Sequence, residues 1–381
     1  MKVLVINRPN VSFVVLHVGM LALFYMYLVD AGSAYVKVFY LSSMLIFSLS
    51  SFSLNRSVSR GKAFFLWGTV CWITFGAFAI LSNLSFDRIY FFFLEFSLLV
   101  SGYSIINKPS YLVVLTRAYY LLLGVLLVAC IADYFGVHEF KGAVLGGASE
   151  NYATSLFLGM ALLVLCLRYK WSGRLEVRLL FPAILMSLYL NSRFSAAVSI
   201  AAMICYLLLL SYQWCRSIGG VVWFYAVIMM LVSIGGIYFL AVMSAANLSP
   251  ISGDPRLVIW SDFFRNIDFY GYIQGVDFSN CCRLIHERFA NNPHNSLLRS
   301  FSVFGLAGGV YLLMLVIGVG AFFVRPKARI YALAFMFWAL RGMTDSIATP
   351  HYFDIFYFSL YFLIFNGEHR DSESQKVDVV P

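Results

Sequence analysis

Long apolar blocks alternate with short clusters of basic and polar residues along most of this chain. The blocks are roughly 15 to 25 residues long, and an α-helix needs about 20 apolar residues to cross about 30 Å of hydrocarbon. The pattern therefore predicts an all-α polytopic membrane protein with about twelve transmembrane helices. The predicted spans are 11–29, 38–54, 63–82, 90–106, 111–131, 151–166, two within 179–214, 221–243, 297–324, 330–340 with its flanks, and 352–365.

The block 179–214 is divided because it is too long for a single crossing. Asn191, Ser192 and Arg193 interrupt its apolar run, so we expect the chain to turn there, with Arg193 at the turn. An even number of spans then places both termini on the same side of the membrane.

Composition excludes a water-soluble fold. Of the 381 residues, 61% are hydrophobic and 12% are charged, against roughly 25% charged in an average soluble domain. The net charge of +9 does not require a nucleic-acid partner, because basic residues on cytoplasmic loops set membrane orientation. Most basic residues share a side with the termini, and the acidic residues favour the other side. We predict one integral-membrane domain, residues 1–381, with both termini cytoplasmic and no nucleic-acid partner.

One long segment outside the membrane, residues 244–296, follows the ninth span and is predicted to lie on the periplasmic face, with short helices in it. Asp254 and Pro255 are a predicted helix cap and first-turn proline. The helix that follows is amphipathic, so we expect it to lie in the membrane interface and to hold Arg256 near the lipid head groups. Its apolar face is expected to carry Leu257, Trp260 and Phe264, with Ile259 and Phe263 beside them.

A histidine stands where the predicted tenth span begins. Asn292 and Pro293 precede it and are typical of a helix start. His294 is therefore predicted to lie in the first turn of this span, where the helix dipole disfavours imidazolium and keeps the ring neutral.

Several arginines are predicted at the outer membrane edge, where the orientation rule disfavours cations. A guanidinium matches phosphate oxygens with two parallel hydrogen bonds, so a lipid diphosphate in the outer leaflet is an apt ligand. The alternative is that these side chains extend to lipid head groups or pair with nearby acids. The arginines are Arg193, Arg256, Arg299 and Arg341, and the candidate acids are Asp254, Asp262 and Glu287.

Three segments in order resemble motifs of the O-antigen ligase and polymerase superfamily of bacterial polysaccharide assembly. They are 190–196 (Leu-Asn-Ser-Arg-Phe-Ser-Ala), 254–260 (Asp-Pro-Arg-Leu-Val-Ile-Trp) and 293–298 (Pro-His-Asn-Ser-Leu-Leu), the last followed by Gly305, Gly308 and Gly309. They are similar to that family's Ser-Arg turn, its loop arginine followed by tryptophan, and its His-Asn-x-x-Leu entry into a glycine-bearing span. The third departs slightly, because leucine here directly follows Ser296.

The resemblance implies a GT-C-like glycosyltransferase in the bacterial inner membrane, with its active site on the periplasmic face. The donor would be an undecaprenyl-diphosphate-linked glycan. Arg193 and Arg256 would stabilise the diphosphate leaving group without a metal, and His294 would be the general base, with inversion at the anomeric carbon. No metal or nucleotide cofactor is expected. Expected partners are membrane lipids and the chain-length regulator and flippase of the same pathway.

Further residues are predicted to bind substrate, each with a plainer alternative. Asn295 and Trp260 belong to the motifs above, and Arg299 directly follows the third of them. Three residues at the start of the sixth span resemble a site wall or serve only as a cap, namely Glu150, Asn151 and Tyr152. Arg341 and His351 flank the last outer loop and either reach the diphosphate or glycan or are structural.

Other features favour structural roles. Glu95 and Arg117 are the ionisable residues deep in spans, and we expect them to pair with each other across adjacent helices; a proton relay is the less favoured alternative. Gly305 and Gly309 predict a small-residue helix-packing face. Two adjacent loop cysteines are expected to be free or loosely oxidised, because a bond between neighbours is strained; they are Cys281 and Cys282.

Three functions stay open. A polymerase transfers the lipid-linked glycan onto the next lipid-linked repeat unit of O-antigen, capsule or exopolysaccharide. A ligase transfers it to lipid A-core. A transporter or flippase of the lipid-linked unit is predicted to show internal repeats and broken helices near mid-membrane, which the sequence does not show clearly. We favour the polymerase.

Overall fold

The protein is helical throughout the part of the chain that the structure describes. A computed structural model describes residues 11–28, 33–51, 60–82, 85–136, 150–190, 192–214, 255–289, 292–343 and 351–366. Within these ranges the regular elements are α-helices and short 3₁₀ turns, without a β-strand. The all-α prediction is confirmed for these residues. The predicted ninth span, 221–243, lies outside them.

The α-helices, in chain order, fall into a long N-terminal series and a shorter-helix series after residue 254. The first series is α1 (Val11–Leu28), α2 (Ala34–Ser51), α3 (Arg60–Ser82), α4 (Phe86–Ile105), α5 (Pro109–Tyr134), α6 (Glu150–Ser172), α7 (Phe181–Tyr189) and α8 (Arg193–Trp214). The second is α9 (Pro255–Asn266), α10 (Phe269–Gln274), α11 (Phe278–Cys281), α12 (Arg283–Phe289), α13 (Ser296–Phe304), α14 (Leu306–Val324), α15 (Arg329–Met343) and α16 (Asp354–Asn366).

Several of these helices are suited to crossing a membrane. Among the described residues, 6 helices are long and apolar enough, and α14 with α15, bent by 118°, raises the number to 7 if the pair counts as one span. Many of their large apolar side chains are exposed, as lipid contact requires. The chain is therefore a multi-pass membrane protein, and about twelve spans stays a prediction.

Helix α16 lies at the centre of the bundle. Every residue from Asp354 to Phe365 is buried, and α16 packs against α3, α4, α6, α14 and α15. Its 13 residues extend only about 20 Å, which is shorter than the hydrocarbon core. The neighbours that surround it make up the remaining thickness.

The predicted division of 179–214 is confirmed. Helix α7 ends at Tyr189 and α8 begins at Arg193. The backbone N–H of Ser192 donates to the carbonyl of Ser187 at 2.8 Å, which closes the turn between the two helices.

The predicted single tenth span, 297–324, is wrong, because the helix breaks at Gly305 between α13 and α14. Gly305 has φ +54°, and a Cβ there would lie 2.1 Å from the carbonyl oxygen of Ile273. Only glycine allows this conformation and close approach. The small-residue face predicted for Gly305 and Gly309 is also wrong, since Gly305 forms the break and a Cβ on Gly309 would meet only the ring of Phe301, at 4.0 Å.

The segment after residue 254 has its own small apolar core. Helix α9 begins at Pro255, as predicted, whereas Asp254 lies outside the described residues. Its buried face is shifted from the predicted one toward the residues expected beside it, because Ile259 and Phe263 are fully buried while Phe264 is 58% exposed. The residues of this core are Ile259, Phe263, Ile267, Phe278, Cys282, Ile285 and Leu298, with Trp260 packed against them.

The adjacent cysteines of this segment are joined. Cys281 ends α11, Cys282 precedes α12, and a disulfide bond links them. Of the two expected states, free thiols are therefore wrong, and the oxidised pair is the one present. Cys282 is buried in the apolar core of the segment.

The predicted pairing of Glu95 with Arg117 is wrong. Arg117 is exposed on α5, whereas Glu95 is fully buried on α4. Glu95 instead accepts hydrogen bonds from Tyr311 and from the backbone of His351. Helices α4 and α16 pack side by side, so the carboxyl meets the N-terminus of α16 and not α5.

Candidate functional site

The ends of seven helices meet at one end of the bundle, which we call the polar end. It comprises the C-termini of α1 and α15 and the N-termini of α2, α4, α6, α8 and α16. Hydrogen bonds connect these ends. Tyr27 of α1 contacts His351, and Tyr90 of α4 donates to the carbonyl of Lys37 in α2 and contacts Tyr352. Helix ends from separate parts of the chain therefore build one polar region.

Basic side chains cap helices at the opposite end. Lys170 donates to the carbonyl of Ile106 at the end of α4, at 2.7 Å. Arg325 donates to the carbonyl of Ile364 near the end of α16, at 2.9 Å. Cations at helix C-termini satisfy free carbonyls and complement the helix dipole. The two ends of the bundle thus differ in their chemistry.

Arg341, near the end of α15, is the most deeply buried arginine of the polar end, with 2% exposure. Its Nε donates to the hydroxyl of Ser195 at 2.9 Å, and its Nη2 donates to the carbonyl of Asn151 at 3.2 Å. The guanidinium is therefore held between the N-terminal turns of α8 and α6. Such a fixed, water-poor cation interacts strongly with an anion placed beside it.

A cluster of hydroxyl groups surrounds this arginine. The Thr154 hydroxyl oxygen lies 2.9 Å from that of Ser195, and the Ser192 hydroxyl oxygen lies 2.9 Å from the same atom. Ser192 also lies 2.8 Å from the side-chain oxygen of Asn151. All three hydroxyl residues are buried. The network fixes the turn that precedes α8, and Arg193 is the first residue of that helix.

The turn that contains His294 is anchored on both sides. Asn292 accepts from the backbone N–H of His294 at 2.9 Å. Asn295 caps α13 by accepting from two backbone N–H groups, and its amide donates to the carbonyl of Met343 at 3.0 Å. This bond ties the turn to the helix end that carries Arg341.

His294 itself precedes α13, so the predicted first-turn position is wrong, and Asn295 is the capping residue. The backbone of His294 has φ 45°, the left-handed region that non-glycine residues seldom adopt. Local strain of this kind persists where surrounding contacts hold it, and it is frequent at functional sites. The side chain is half-buried.

His351 lies in a buried aromatic cluster. Its ring stacks on Tyr152 at 5.4 Å between centroids and 11° between planes. The backbone N–H of Phe353 donates to Nδ1 at 3.3 Å. Because Nδ1 accepts, a neutral ring carries its hydrogen on Nε2, which lies 3.0 Å from the Tyr27 hydroxyl. The imidazole is thereby oriented by α1, α6 and the segment before α16.

Two carboxyl groups lie beneath His351. Glu95 and Asp354 are both fully buried. The backbone N–H of His351 donates to Asp354 at 2.7 Å and to Glu95 at 3.0 Å. The hydroxyl of Tyr311 donates to the other oxygen of Glu95 at 2.6 Å.

Arg299 of α13 completes the aromatic side of the polar end. Its guanidinium lies 5.6 Å from the centroid of the Phe91 ring, which is a cation–π contact. It also lies close enough to Tyr27 and Tyr352 to interact with them electrostatically. This cation therefore faces the same cluster as His351.

The structure brings many of the predicted site residues together at the polar end. These are Asn151, Tyr152, Arg193, His294, Asn295, Arg299, Arg341 and His351. Arg193 is exposed beside the hydroxyl cluster. Trp260 packs in the loop core instead. The side chains of Glu150 and Arg256 lie outside the described residues, so their predicted roles stay predictions.

The sequence interpretation missed several residues of the polar end. Ser195 and Thr154 contact the Arg341 network, and Tyr27 and Tyr311 contact the His351 cluster. A hydroxyl residue two positions after Arg193 was the available signal for Ser195. The tyrosines gave no signal, because aromatic residues are common at the ends of membrane helices.

The arrangement offers cations, hydroxyl groups and histidines in one region. Among the described residues, no three His, Cys, Asp or Glu side chains are grouped as metal ligands. The chain matches no known protein-family model and no curated protein sequence. Chemically, the region suits an anionic ligand that reacts by proton transfer, because fixed cations stabilise developing negative charge and an imidazole can accept a proton.

Proposed function

We propose that the protein is a periplasmic-face polysaccharide polymerase, a glycosyltransferase that transfers an undecaprenyl-diphosphate-linked glycan onto the next lipid-linked repeat unit. The observation that carries this proposal is the hydrogen bond from Asn295 to Met343. It holds the His294 turn against the helix that supplies Arg341, so a base and a buried cation lie in the same polar region.

The cations of the polar end are suited to the donor. When the glycosidic bond breaks, negative charge accumulates on the leaving diphosphate, and guanidinium groups stabilise it without a metal. Arg193 is exposed at the start of α8 and is free to reach a head group. Arg341 and Arg299 are proposed to add positive charge beside Arg193 from the interior of the bundle. Arg256 is proposed to approach from the loop.

His294 is proposed as the general base. The acceptor hydroxyl loses a proton as it attacks, and a neutral imidazole is matched to that transfer near neutral pH. Direct attack inverts the anomeric carbon. Asn151, Tyr152 and His351 would form the wall against which the glycan lies.

We further propose a GT-C-like topology of about twelve spans in the bacterial inner membrane, with both termini cytoplasmic. The lysine and arginine caps at the end opposite the polar end support this orientation, because cytoplasmic ends are enriched in basic residues. The polar end then faces the periplasm. No metal or nucleotide is required, and the proposed partners are membrane lipids, a chain-length regulator and a flippase.

Two alternatives differ from this proposal in a measurable way. A ligase uses the same donor and the same chemistry but transfers to lipid A-core. A flippase moves the lipid-linked unit without transferring it. Deleting the gene and profiling undecaprenyl-linked glycans in the periplasmic leaflet by mass spectrometry separates them. Single repeat units with long chains missing support the polymerase, long lipid-linked chains without transfer support the ligase, and units retained on the cytoplasmic side support the flippase. An unchanged profile refutes all three.

Complementation of the deletion strain tests the residues. His294→Ala and Arg193→Ala are each expected to abolish transfer while the protein stays inserted and folded. Arg117→Ala is the matched control, because Arg117 is an exposed arginine on α5. It should restore the wild-type profile. Near-normal product from the His294 or Arg193 variant removes that residue from the mechanism.

A further inference from the structure

Glu95 and Asp354 form a carboxyl pair that glycan transfer does not use. Neither side chain has any exposed surface. Both carboxyl groups accept a hydrogen bond from the same backbone N–H, that of His351, at 2.7 Å for Asp354 and 3.0 Å for Glu95, so the two groups are neighbours. Glu95 is the tenth residue of α4, about 14 Å along the helix axis from its N-terminus, so the pair lies inside the bundle and below the polar end.

Two carboxylates at this distance repel each other strongly where water is excluded, so such pairs retain one proton. The described groups that face the pair are the phenols of Tyr40 from α2, Tyr311 from α14 and Tyr357 from α16, and the backbone N–H of His351.

Donors converge on the pair, and this distinguishes a proton from a metal ion as its ligand. The backbone N–H of His351 points at both carboxyl groups, and the Tyr311 hydroxyl points at Glu95. Each of these donors takes up a lone pair that a metal ion would need, and among the described residues no third His, Cys, Asp or Glu side chain joins the pair as a metal ligand. A shared proton is compatible with all of them, because the oxygens that do not carry it still accept.

The two carboxyl groups differ in their surroundings. Asp354 is the first residue of α16, where the helix dipole stabilises negative charge. Glu95 lies in the middle of α4 and has no such stabilisation. The proton therefore belongs on Glu95 and the charge on Asp354.

We propose that Glu95 and Asp354 form an intramembrane proton-binding site that holds one proton at neutral pH, with Glu95 as the acid and Asp354 as the carboxylate. The bound proton keeps the two carboxyl groups together, and together they hold the backbone of His351. The ring of His351 is thereby kept on Tyr152 and against Tyr27. This inference goes beyond glycan transfer and does not depend on it.

Infrared difference spectroscopy of the purified full-length protein in lipid nanodiscs at neutral pH tests the proposal. The wild-type protein is expected to show the C=O stretch of a buried protonated carboxyl group, slowly shifted by D₂O. Glu95→Gln should remove this band. Asp354→Asn should remove a carboxylate band and leave the protonated one, shifted because its partner has changed. Glu176→Gln is the control, since Glu176 is paired with Arg168 and Arg178 and should leave the protonated band unchanged.

Glu95→Gln is expected to fold, because its amide oxygen accepts from His351 and its two N–H groups reach Asp354 and the Tyr311 oxygen. If it does not fold, the Asp354→Asn spectrum still decides the question. A wild-type spectrum without a protonated carboxyl band overturns the proposal. A band that disappears in Asp354→Asn but persists in Glu95→Gln also overturns it. So does a band that appears only when sodium is withdrawn, because a metal ion then occupies the pair.

Discussion

The close approach of α4 and α16 at Gly102 gives the sharpest stability prediction. Gly102 lies seven residues after Glu95, so both are on the face of α4 that meets α16. A Cβ on Gly102 would lie 2.8 Å from the Cβ of Phe358 and 2.9 Å from the backbone nitrogen of Ser359. These distances are well inside van der Waals contact, and one partner is backbone. Gly102→Ala must therefore push the two helices apart.

The change in unfolding free energy caused by Gly102→Ala is the sum of two opposing effects. Overpacking a well-packed contact costs about 1 to 3 kcal/mol, while alanine is favoured over glycine in a helix by about 1 kcal/mol. Gly124 on α5 is the matched control, because a Cβ there meets nothing within 4 Å. The same change at Gly124 retains only the favourable effect. The two variants should therefore differ in unfolding free energy by about 1 to 3 kcal/mol, with Gly102→Ala the less stable.

Unfolding in mixed micelles with increasing sodium dodecyl sulfate, followed by tryptophan fluorescence, measures this difference. The separation of α4 from α16 should also weaken the contact between Glu95 and Asp354, so the protonated carboxyl band should change in Gly102→Ala and stay unchanged in Gly124→Ala. Equal unfolding free energies for the two variants would contradict the close packing of α4 against α16.

Three further predictions concern the polar end and the break before α14. Arg341→Lys keeps the charge but loses the Nε donor to Ser195, so glycan transfer, measured by the glycan profile, should fall by about 100-fold. An unchanged profile means that the guanidinium geometry is not needed. Gly305→Ala should destabilise the protein by about 2 to 5 kcal/mol, because Gly305 has a positive φ and contacts a backbone carbonyl. Gly320→Ala is the control in the same unfolding titration. It should not destabilise the protein, because the space around Gly320 is open. Asn295→Ala should lower the unfolding free energy by about 1 to 2 kcal/mol, because the cap of α13 is lost. It should also lower glycan transfer, because the His294 turn is released. Wild-type stability and product would show that the Asn295 side chain is dispensable.

Local features of the sequence predicted the helices and some of their ends. The first apolar block, 11–29, corresponds to α1, Val11–Leu28. The polar interruption near Arg193 corresponds to the start of α8. Both follow from the length and polarity of consecutive residues, which one segment contains without reference to any other. Proline at the first position of α9 was predicted for the same reason.

Features that depend on a second segment were not predicted. Gly305 was assigned to a helix face, because nothing near it in the sequence shows that the backbone of α10 passes against it. The buried face of α9 differed from the expected one, since an amphipathic helix can turn toward lipid or toward a protein core. Which of the two it meets is a property of the neighbouring helices α11, α12 and α13.

The sequence by itself determined that this protein is helical, that it crosses a membrane several times, and that arginines, histidines and asparagines stand at helix ends. Only the tertiary structure decided which of those ends meet. Arg341 meets Ser195 and Asn151, and Glu95 meets Asp354 and not Arg117. The physical reason is that apolar helices of similar composition pack with one another through close contacts such as the one at Gly102. These contacts join residues that are far apart in the chain, and they determine which polar groups are neighbours.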